Sequence, residues 1–392
     1  MSPSFFADVP EKVRLTSLLN LPTPLSEPEL LSELTAMSQQ NAVASSFLGG
    51  GNYQHYIPSA VKHLVGRAEF YTAYTPYQAE ASQGTLQAIY EYQSLICALT
   101  GLDVANASMY DGGTALVEAA FMACRITGRK TVAVSMAVNP NYRQLLKTYC
   151  QAADISLKEI PFDESSGLAA ADLGLTEQDA CYILQQPNYF GNIEQPNQPA
   201  SQCHKNGSLF IVSIDPISLG LLKSPGEYGA DIVVGEGQSL GNPQSFGGPG
   251  LGIFATKKEF LRQMPGRIVG GTVDLQGRRA YTLTMSTREQ HIRRERATSN
   301  ICSNEALCAL AAAIYLTLLG KNGLKSVAEL CLQKSNYLKK KLGARVKWPK
   351  SPSFKEFMAI TRLSPPTAEL VCVTELASKQ ALDKLAQEIL SG

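Results

Sequence analysis

The stretch Leu209-Phe210-Ile211-Val212-Ser213-Ile214-Asp215, followed after a turn-rich connection by Asp231-Ile232-Val233-Val234-Gly235-Glu236-Gly237-Gln238-Ser239-Leu240-Gly241, decides the fold. Both segments contain short unbroken apolar runs rather than an alternating pattern. A strand buried on both faces reads this way, because neither face meets water. Cys181 to Gln185 upstream and Leu251 to Ala255 downstream have the same character. Further out, Thr131 to Met136 and Ser156 to Phe162 read as strands around a helix over Asn141 to Ala153, and a helix over Lys257 to Met264 follows the last run. Alternation of strand and helix over this length predicts an α/β fold with a parallel sheet covered on both faces.

Two helices precede the sheet. From about Ser82, residues Leu86, Ile89, Tyr90, Ile96 and Leu99 keep helical spacing until Gly101, and Thr114 to Thr127 is stopped by Gly128. After the sheet come two long helical patterns, Asn304 to Leu319 and Gly323 to Leu342. The tail reads strand, strand, helix, with Ser378 capping a helix to Leu390. The first fifty residues read as an arm: Ser26-Glu27-Pro28-Glu29 is a capping-box pattern opening a short helix through Leu34, and Phe47-Leu48-Gly49-Gly50-Gly51 reads as a flexible glycine run. This divides the chain into an arm (1–50), a large α/β domain (51–322) and a linking helix with a small α+β end domain (323–392).

Composition narrows the function. The 392 residues carry 35 Lys+Arg against 34 Asp+Glu, a net charge of +1, which argues against nucleic acid or an anionic membrane as the main partner. With 44% hydrophobic and 18% charged residues the chain reads as globular. The apolar run Ala306 to Leu319 is shorter than a membrane span and reads as a buried helix. The N-terminus lacks the basic head and apolar stretch of an export signal, so the expected location is the cytoplasm. Nine cysteines, including Cys302, sit mostly in apolar runs with no C-x-x-C, and four scattered histidines form no metal motif; buried free thiols and no metal site are expected.

The nucleotide motifs fail. In Gly235-Glu236-Gly237-Gln238-Ser239-Leu240-Gly241 the third glycine is one residue late for a dinucleotide fingerprint, Gly128-Arg129-Lys130-Thr131 lacks the Walker spacing, and no G-x-S-x-G elbow occurs. Tyr110-Asp111-Gly112-Gly113-Thr114 places a glycine pair and a hydroxyl at a helix entrance, where backbone N–H groups and the helix dipole favour a phosphate; an ordinary helix cap reads equally well. Asp215 ends a buried strand, where ligands of α/β sheets bind and where a carboxylate can pair with a pyridinium nitrogen, although a strand-terminal cap explains it too. Together these sketch a pyridoxal-phosphate (PLP) site. Its third part, a Schiff-base lysine after the next strand, is missing: Gln238 and Ser239 stand there, and neither can form an aldimine. Lys223 is the nearest lysine, in a turn before that strand. Asp111, Gly112, Gly113, Thr114 and Asp215 thus read as a vestigial cofactor site with its phosphate cup empty.

Several blocks in unbroken order make the chain resemble the first (alpha) subunit of the two-subunit glycine decarboxylase, the P-protein of the glycine cleavage system. They are F-L-G-G-G-N-Y at Phe47, Y-T-P-Y-Q-A-E-A-S-Q-G at Tyr74, Y-D-G-G-T-A-L-V-E-A at Tyr110, D-P-I-S-L-G at Asp215, G-E-Y-G-A-D-I-V-V-G-E-G-Q-S-L-G at Gly226, F-G-G-P-G-L-G at Phe246 and T-R-E-Q-H-I-R-R-E-R-A-T-S-N-I-C at Thr287. The similarity runs from Ser26 to Leu342; beyond it the tail is weakly similar and looks short, with tight connections at Lys350–Ser353 and Leu363–Pro366.

The resemblance implies a PLP fold-type I architecture. It implies that PLP and its lysine belong to a partner beta subunit, with none bound covalently here. It further implies that glycine is decarboxylated there and its aminomethyl carbon passed to the lipoyl arm of H-protein. By that logic the loop of Tyr74, Tyr77, Gln78, Glu80, Ser82 and Gln83, with Arg288, His291 and Arg294, would complete the partner's site or form the interface. Two other readings stay open: a self-sufficient PLP enzyme using Lys223, and a non-enzymatic scaffold or regulatory relative.

Overall fold

The structure, a computed structural model, describes residues 7–15, 17–41, 45–285, 289–301, 303–363 and 366–391. Arg288, Cys302, Ser364 and Pro365 lie outside the described residues. The chain divides into two compact units, Met1–Ser46 and Phe47–Gly392. The first holds α1 (Glu27–Ser38), closed at its head by the Ser26/Glu29 capping box and without a buried residue.

In the second unit, α2 (Gln83–Thr100) leads to β1 (Val104–Ala105), and α3 (Gly112–Thr127) to β2 (Thr131–Ser135). Both helices stop at a glycine in the left-handed region, Gly101 at φ 70° and Gly128 at φ 70°, where a side chain would cost conformational energy. Next come α4 (Pro140–Ala152), β3 (Ser156–Ile160), β4 (Asp179–Gln186), α5 (Asn197–Lys205), β5 (Leu209–Ile214), β6 (Ile232–Glu236) and β7 (Gly252–Thr256). They build one seven-stranded sheet in the order β1-β7-β6-β5-β4-β2-β3. The five strands from β3 to β6 in that order are parallel; β7 runs antiparallel to β6, and β1 antiparallel to β7. Leu251 to Ala255 therefore forms an antiparallel strand, not the parallel one its apolar run suggested. An apolar run records burial on both faces and carries no information on direction. Two cores lie on the two faces of the sheet, one around α2 and Tyr182, Phe210 and Tyr315, the other around α3 with Val132, Ile183 and Ile211.

Two further features depart from the sequence reading. Phe162 leaves β3 to pair in a small hairpin with Ala169. Lys258–Gln263 is a 3₁₀ turn rather than an α-helix, followed by the hairpin β8 (Ile268–Val273) and β9 (Arg279–Thr284), which glycines and exposed residues hid.

Helix α6 (Ala306–Leu342) is broken at Gly320, φ 56° and ψ −171°, so the two patterns read from sequence meet there. It is long and apolar enough to cross a membrane by composition, but Cys308, Ala309, Ala312, Tyr315 and Leu316 pack into the core beside the sheet. The tail forms β10 (Glu356–Leu363), β11 (Pro366–Cys372) and α7 (Lys379–Ser391) around a core of their own with Leu338 and Leu342. Ser378 caps α7 by accepting from the Ala381 N–H at 3.1 Å. The glycine run at 49–51 packs against this tail rather than hinging freely. The Cys372 N–H donates to the Phe47 carbonyl at 2.8 Å, and a Cβ on Gly49 would lie 2.2 Å from Glu356 Oε1.

Candidate functional site

The head of α3 is built by its own sequence. Asp111 accepts from the Thr114 N–H at 2.7 Å, and Thr114 Oγ1 accepts from the Asp111 N–H at 3.2 Å, a reciprocal cap. Gly112 must lack a side chain, because a Cβ would lie 2.7 Å from the Tyr142 hydroxyl and 2.8 Å from the Glu236 nitrogen. Gly113 is buried behind it. At the cup expected to hold no phosphate, a side chain of the chain itself reaches the helix head. The Gly112 N–H donates to Glu236 Oε2 at 2.9 Å, while Glu236 Oε1 accepts from the N–H groups of Gln238 at 2.9 Å and Leu251 at 2.8 Å. The carboxylate at the end of β6 thus takes the Gly112 N–H, one of the helix-head donors that a phosphate would use. Burial raises the pKa of Glu236 above the ordinary carboxylate value, with the three N–H donors pulling the other way.

The other end of the cleft is closed in the same manner. Asp215 follows β5, its Oδ1 accepting from the Ile217 N–H at 3.1 Å. Its Oδ2 lies 2.8 Å from Lys355 Nζ, and the lysine side chain is 1% exposed. The same ammonium sits 3.6 Å from the centroid of the Tyr53 ring and 3.2 Å from His55 Nε2. Burial works to lower the pKa of Lys355, but the Asp215 carboxylate, together with Cys372 and Cys331, holds the group above its ordinary value. The neighbouring Glu356 accepts from the Tyr53 hydroxyl at 2.7 Å and the Gly50 N–H at 2.8 Å, and burial pushes its pKa up to about 7.

These residues do not fit PLP. Its phosphate would meet Glu236 and Asp111 at the head of α3, and two like charges about 4 Å apart repel by about 4 kcal/mol at an effective dielectric of about 20. Its ring nitrogen would find Asp215 already paired. The cleft between them is lined by Tyr53, Asn139, Tyr142, Asp215, Glu236 and Lys355, so both charged occupants face the space a pyridine ring would need. Gln238 is spent on structure, accepting from the Tyr53 N–H at 2.9 Å and donating to the Asn242 carbonyl at 2.6 Å. Ser239 is buried, its hydroxyl without a hydrogen-bond partner. Lys223 is exposed and does not line the cleft, which removes the reading of a self-sufficient enzyme built on it.

Behind Lys355 a hydrogen-bonded chain continues. Lys355 donates to His55 Nε2, and His55 Nδ1 lies 2.7 Å from Glu375 Oε2, which fixes the neutral tautomer with the proton on Nδ1. Burial, then the Lys355 charge, lowers the pKa of His55. Glu375 also accepts from the Tyr56 N–H at 2.6 Å and lies 3.5 Å from the Cys331 thiol. His55, Cys331 and Glu375 could together ligate a metal by proximity alone. The ammonium 3.2 Å from His55 stands against a second cation there, and burial pushes the Cys331 thiol pKa up. The eight described cysteines are free thiols.

The other expected site residues do not line this cleft. Tyr74, Tyr77, Gln78 and Glu80 are exposed, and Tyr74 is 80% exposed. Ser82 precedes α2 without a side-chain cap bond. Gln83 clamps β9, accepting from the Tyr281 N–H and donating to the Tyr281 carbonyl, each at 2.9 Å. His291 packs edge-on against Tyr77 with ring centroids 6.2 Å apart, and its Nδ1 lies 3.5 Å from Glu289. Arg294 is exposed in a turn at φ 53°. The structure joins Tyr77 and His291 through a residue the sequence reading missed, Arg267. Its Nη2 donates to the Tyr77 hydroxyl at 3.0 Å, and its Nε lies 3.7 Å from Glu289. Arg267 follows a Met-Pro-Gly turn with no local pattern to flag it. Glu236, Lys355 and Glu356 were also missed; the one available signal was a charged pair, Lys355-Glu356, directly before the apolar run Phe357 to Ile360.

Comparison with known proteins decides the family. The family model for the glycine cleavage system P-protein matches residues 3–388. The chain belongs to the glycine cleavage system P-protein family. A probable glycine dehydrogenase (decarboxylating) subunit 1 from Desulforamulus reducens is 50% identical over 98% of this chain and 93% of its own length. One of the same description from Moorella thermoacetica is 56% identical over 92% of this chain and 82% of its own. Among solved structures, a glycine decarboxylase (P-protein) of the glycine cleavage system in inhibitor-bound form superposes with a TM-score of 0.92 at 42% identity, covering 100% of this chain and 95% of that one. Glutamate decarboxylase from Lactobacillus brevis matches at a TM-score of 0.68 and 12% identity, covering 98% and 96%, which shows the fold. The architecture is PLP fold-type I. The family match runs past Leu342, so the tail that looked weakly similar belongs to the P-protein fold as well.

Proposed function

We propose that this chain is subunit 1 of a glycine dehydrogenase (decarboxylating), one half of a P-protein whose other subunit carries PLP. The observation that carries this reading is the cleft itself: the fold of a PLP enzyme is complete, yet its cofactor site is filled by Glu236 and Lys355 and has no free lysine. The family's decarboxylation of glycine, with transfer of the aminomethyl group to the lipoyl arm of H-protein, then requires a second chain. PLP supplies the electron sink for that reaction when bound in the partner. This chain would contribute surface residues that position substrate and exclude water. Tyr77, Arg267 and His291, joined in one cluster, are the group best placed for it.

The test is co-expression with a PLP-bearing subunit and measurement of bicarbonate exchange into glycine with H-protein present. Activity is expected only from the pair. Exchange by this chain alone, or failure of the two chains to co-purify, would overturn the reading and leave a scaffold role. Its expected setting is the cytoplasm.

A further inference from the structure

The cofactor-shaped cleft of this chain has opposite charges at its two ends, and both are met by the chain's own side chains. At the head of α3, Glu236 Oε2 receives the Gly112 N–H at 2.9 Å, while its Oε1 is held from outside the helix by the N–H groups of Gln238 at 2.9 Å and Leu251 at 2.8 Å. At the strand end, Asp215 receives the ammonium of Lys355 at 2.8 Å, and that ammonium lies 3.6 Å from the centroid of the Tyr53 ring. A phosphopyridoxyl group has an anion at one end and a protonated ring nitrogen at the other. The internal carboxylate stands where the anion goes, and the internal ammonium stands where the ring nitrogen goes.

We propose that Glu236 and Lys355 are built-in occupants of a closed phosphopyridoxyl site, holding its two ends with the chain's own charges so that the cofactor is refused. The missing lysine alone would not achieve this. A site without it still binds the cofactor by its phosphate and ring, which would divert cofactor to a cleft that cannot react. Filling the cleft from within prevents that. It also satisfies the amide donors and the carboxylate that the fold leaves there. The inference concerns this chain alone and does not depend on which partner it pairs with.

The experiment uses the full chain, with inorganic phosphate and pyridoxine 5′-phosphate as probes; the latter has no aldehyde to attach to stray amines. Binding is read by titration calorimetry and by the shift in Tm. Wild type is expected to take neither probe. Glu236→Ala is expected to gain phosphate binding, and Glu236→Ala/Lys355→Ala to bind pyridoxine phosphate at least about tenfold tighter than Glu236→Ala does. Lys355→Met alone is expected to gain neither, since the phosphate end stays filled. Binding of either probe by wild type overturns the proposal. So does a Glu236→Ala chain with native circular dichroism that takes no phosphate, or a double variant no tighter than the single. Should the alanine variants not fold, Glu236→Ser tests the same gain of phosphate, and the wild-type refusal of pyridoxine phosphate stands independently.

Discussion

Asp215 shows how one residue changes role when its neighbour changes. A carboxylate ending a buried strand can serve a bound ring nitrogen, but here it serves Lys355 at 2.8 Å. Removing one partner of a buried pair leaves the other charge uncompensated, which costs about 3–5 kcal/mol. Lys355→Met should therefore destabilise the chain by that order in urea unfolding, and Lys355→Met/Asp215→Leu should recover most of the loss. A double variant no better than the single would show that the ammonium acts elsewhere. Glu356 carries a pH signature. Its folded pKa, pushed up to about 7 by burial, lies above the ordinary value of 4.5, so the folded state binds more protons than the unfolded one between these limits. The stability it contributes is fully present below pH 4.5 and is lost as pH rises through 7. Glu194, buried and likewise pushed up to about 7, acts in the same direction. Tm should fall between pH 5 and 8, and Glu356→Gln should flatten that fall; an unchanged slope would argue against a buried neutral carboxyl.

At the scale of elements, α3 and α6 make separate points. The Asp111/Thr114 cap closes α3 whatever occupies its head. Asp111→Ala should cost about 1 kcal/mol, measured as a drop in Tm. The break in α6 rests on Gly320, whose φ of 56° and ψ of −171° only glycine adopts readily, while a Cβ there would meet nothing within 4 Å. Gly320→Ala should thus cost about 1–3 kcal/mol through backbone conformation alone. A neutral result would mean that the two halves of α6 can straighten into one helix. The helices, their glycine stops and the central strands were legible in sequence, because 3.6-residue periodicity and buried apolar runs are local patterns. The direction of β7 and the β8–β9 hairpin were not, since pairing is made with residues distant in the chain.

At the scale of the whole molecule, the second unit is a finished PLP fold-type I body whose cofactor cleft is closed from within. Neither this chain nor the proposed PLP-bearing second subunit alone should exchange bicarbonate into glycine, and the two together should. In the complex, Arg267→Ala should lower exchange activity by about tenfold or more if the Tyr77–Arg267–His291 cluster positions substrate in the partner's site, while leaving co-purification intact; unchanged kinetics would place the cluster outside the chemistry.

By itself the sequence determined the α/β class, a helix entrance at Asp111 to Thr114, the strand end at Asp215 and the absence of a Schiff-base lysine at Gln238 and Ser239. Each is a statement about residue type at a local position, and local patterns survive in one dimension. What only the tertiary structure decided is what stands in the cleft. Lys355 reaches Asp215 from 140 residues away, and Glu236 reaches the head of α3 from 124 residues away. Those encounters are set by the packing of the tail and of β6 against the sheet. An unbalanced buried carboxylate and a row of free amide donors demand partners, and the sequence states that demand without naming which residues meet it.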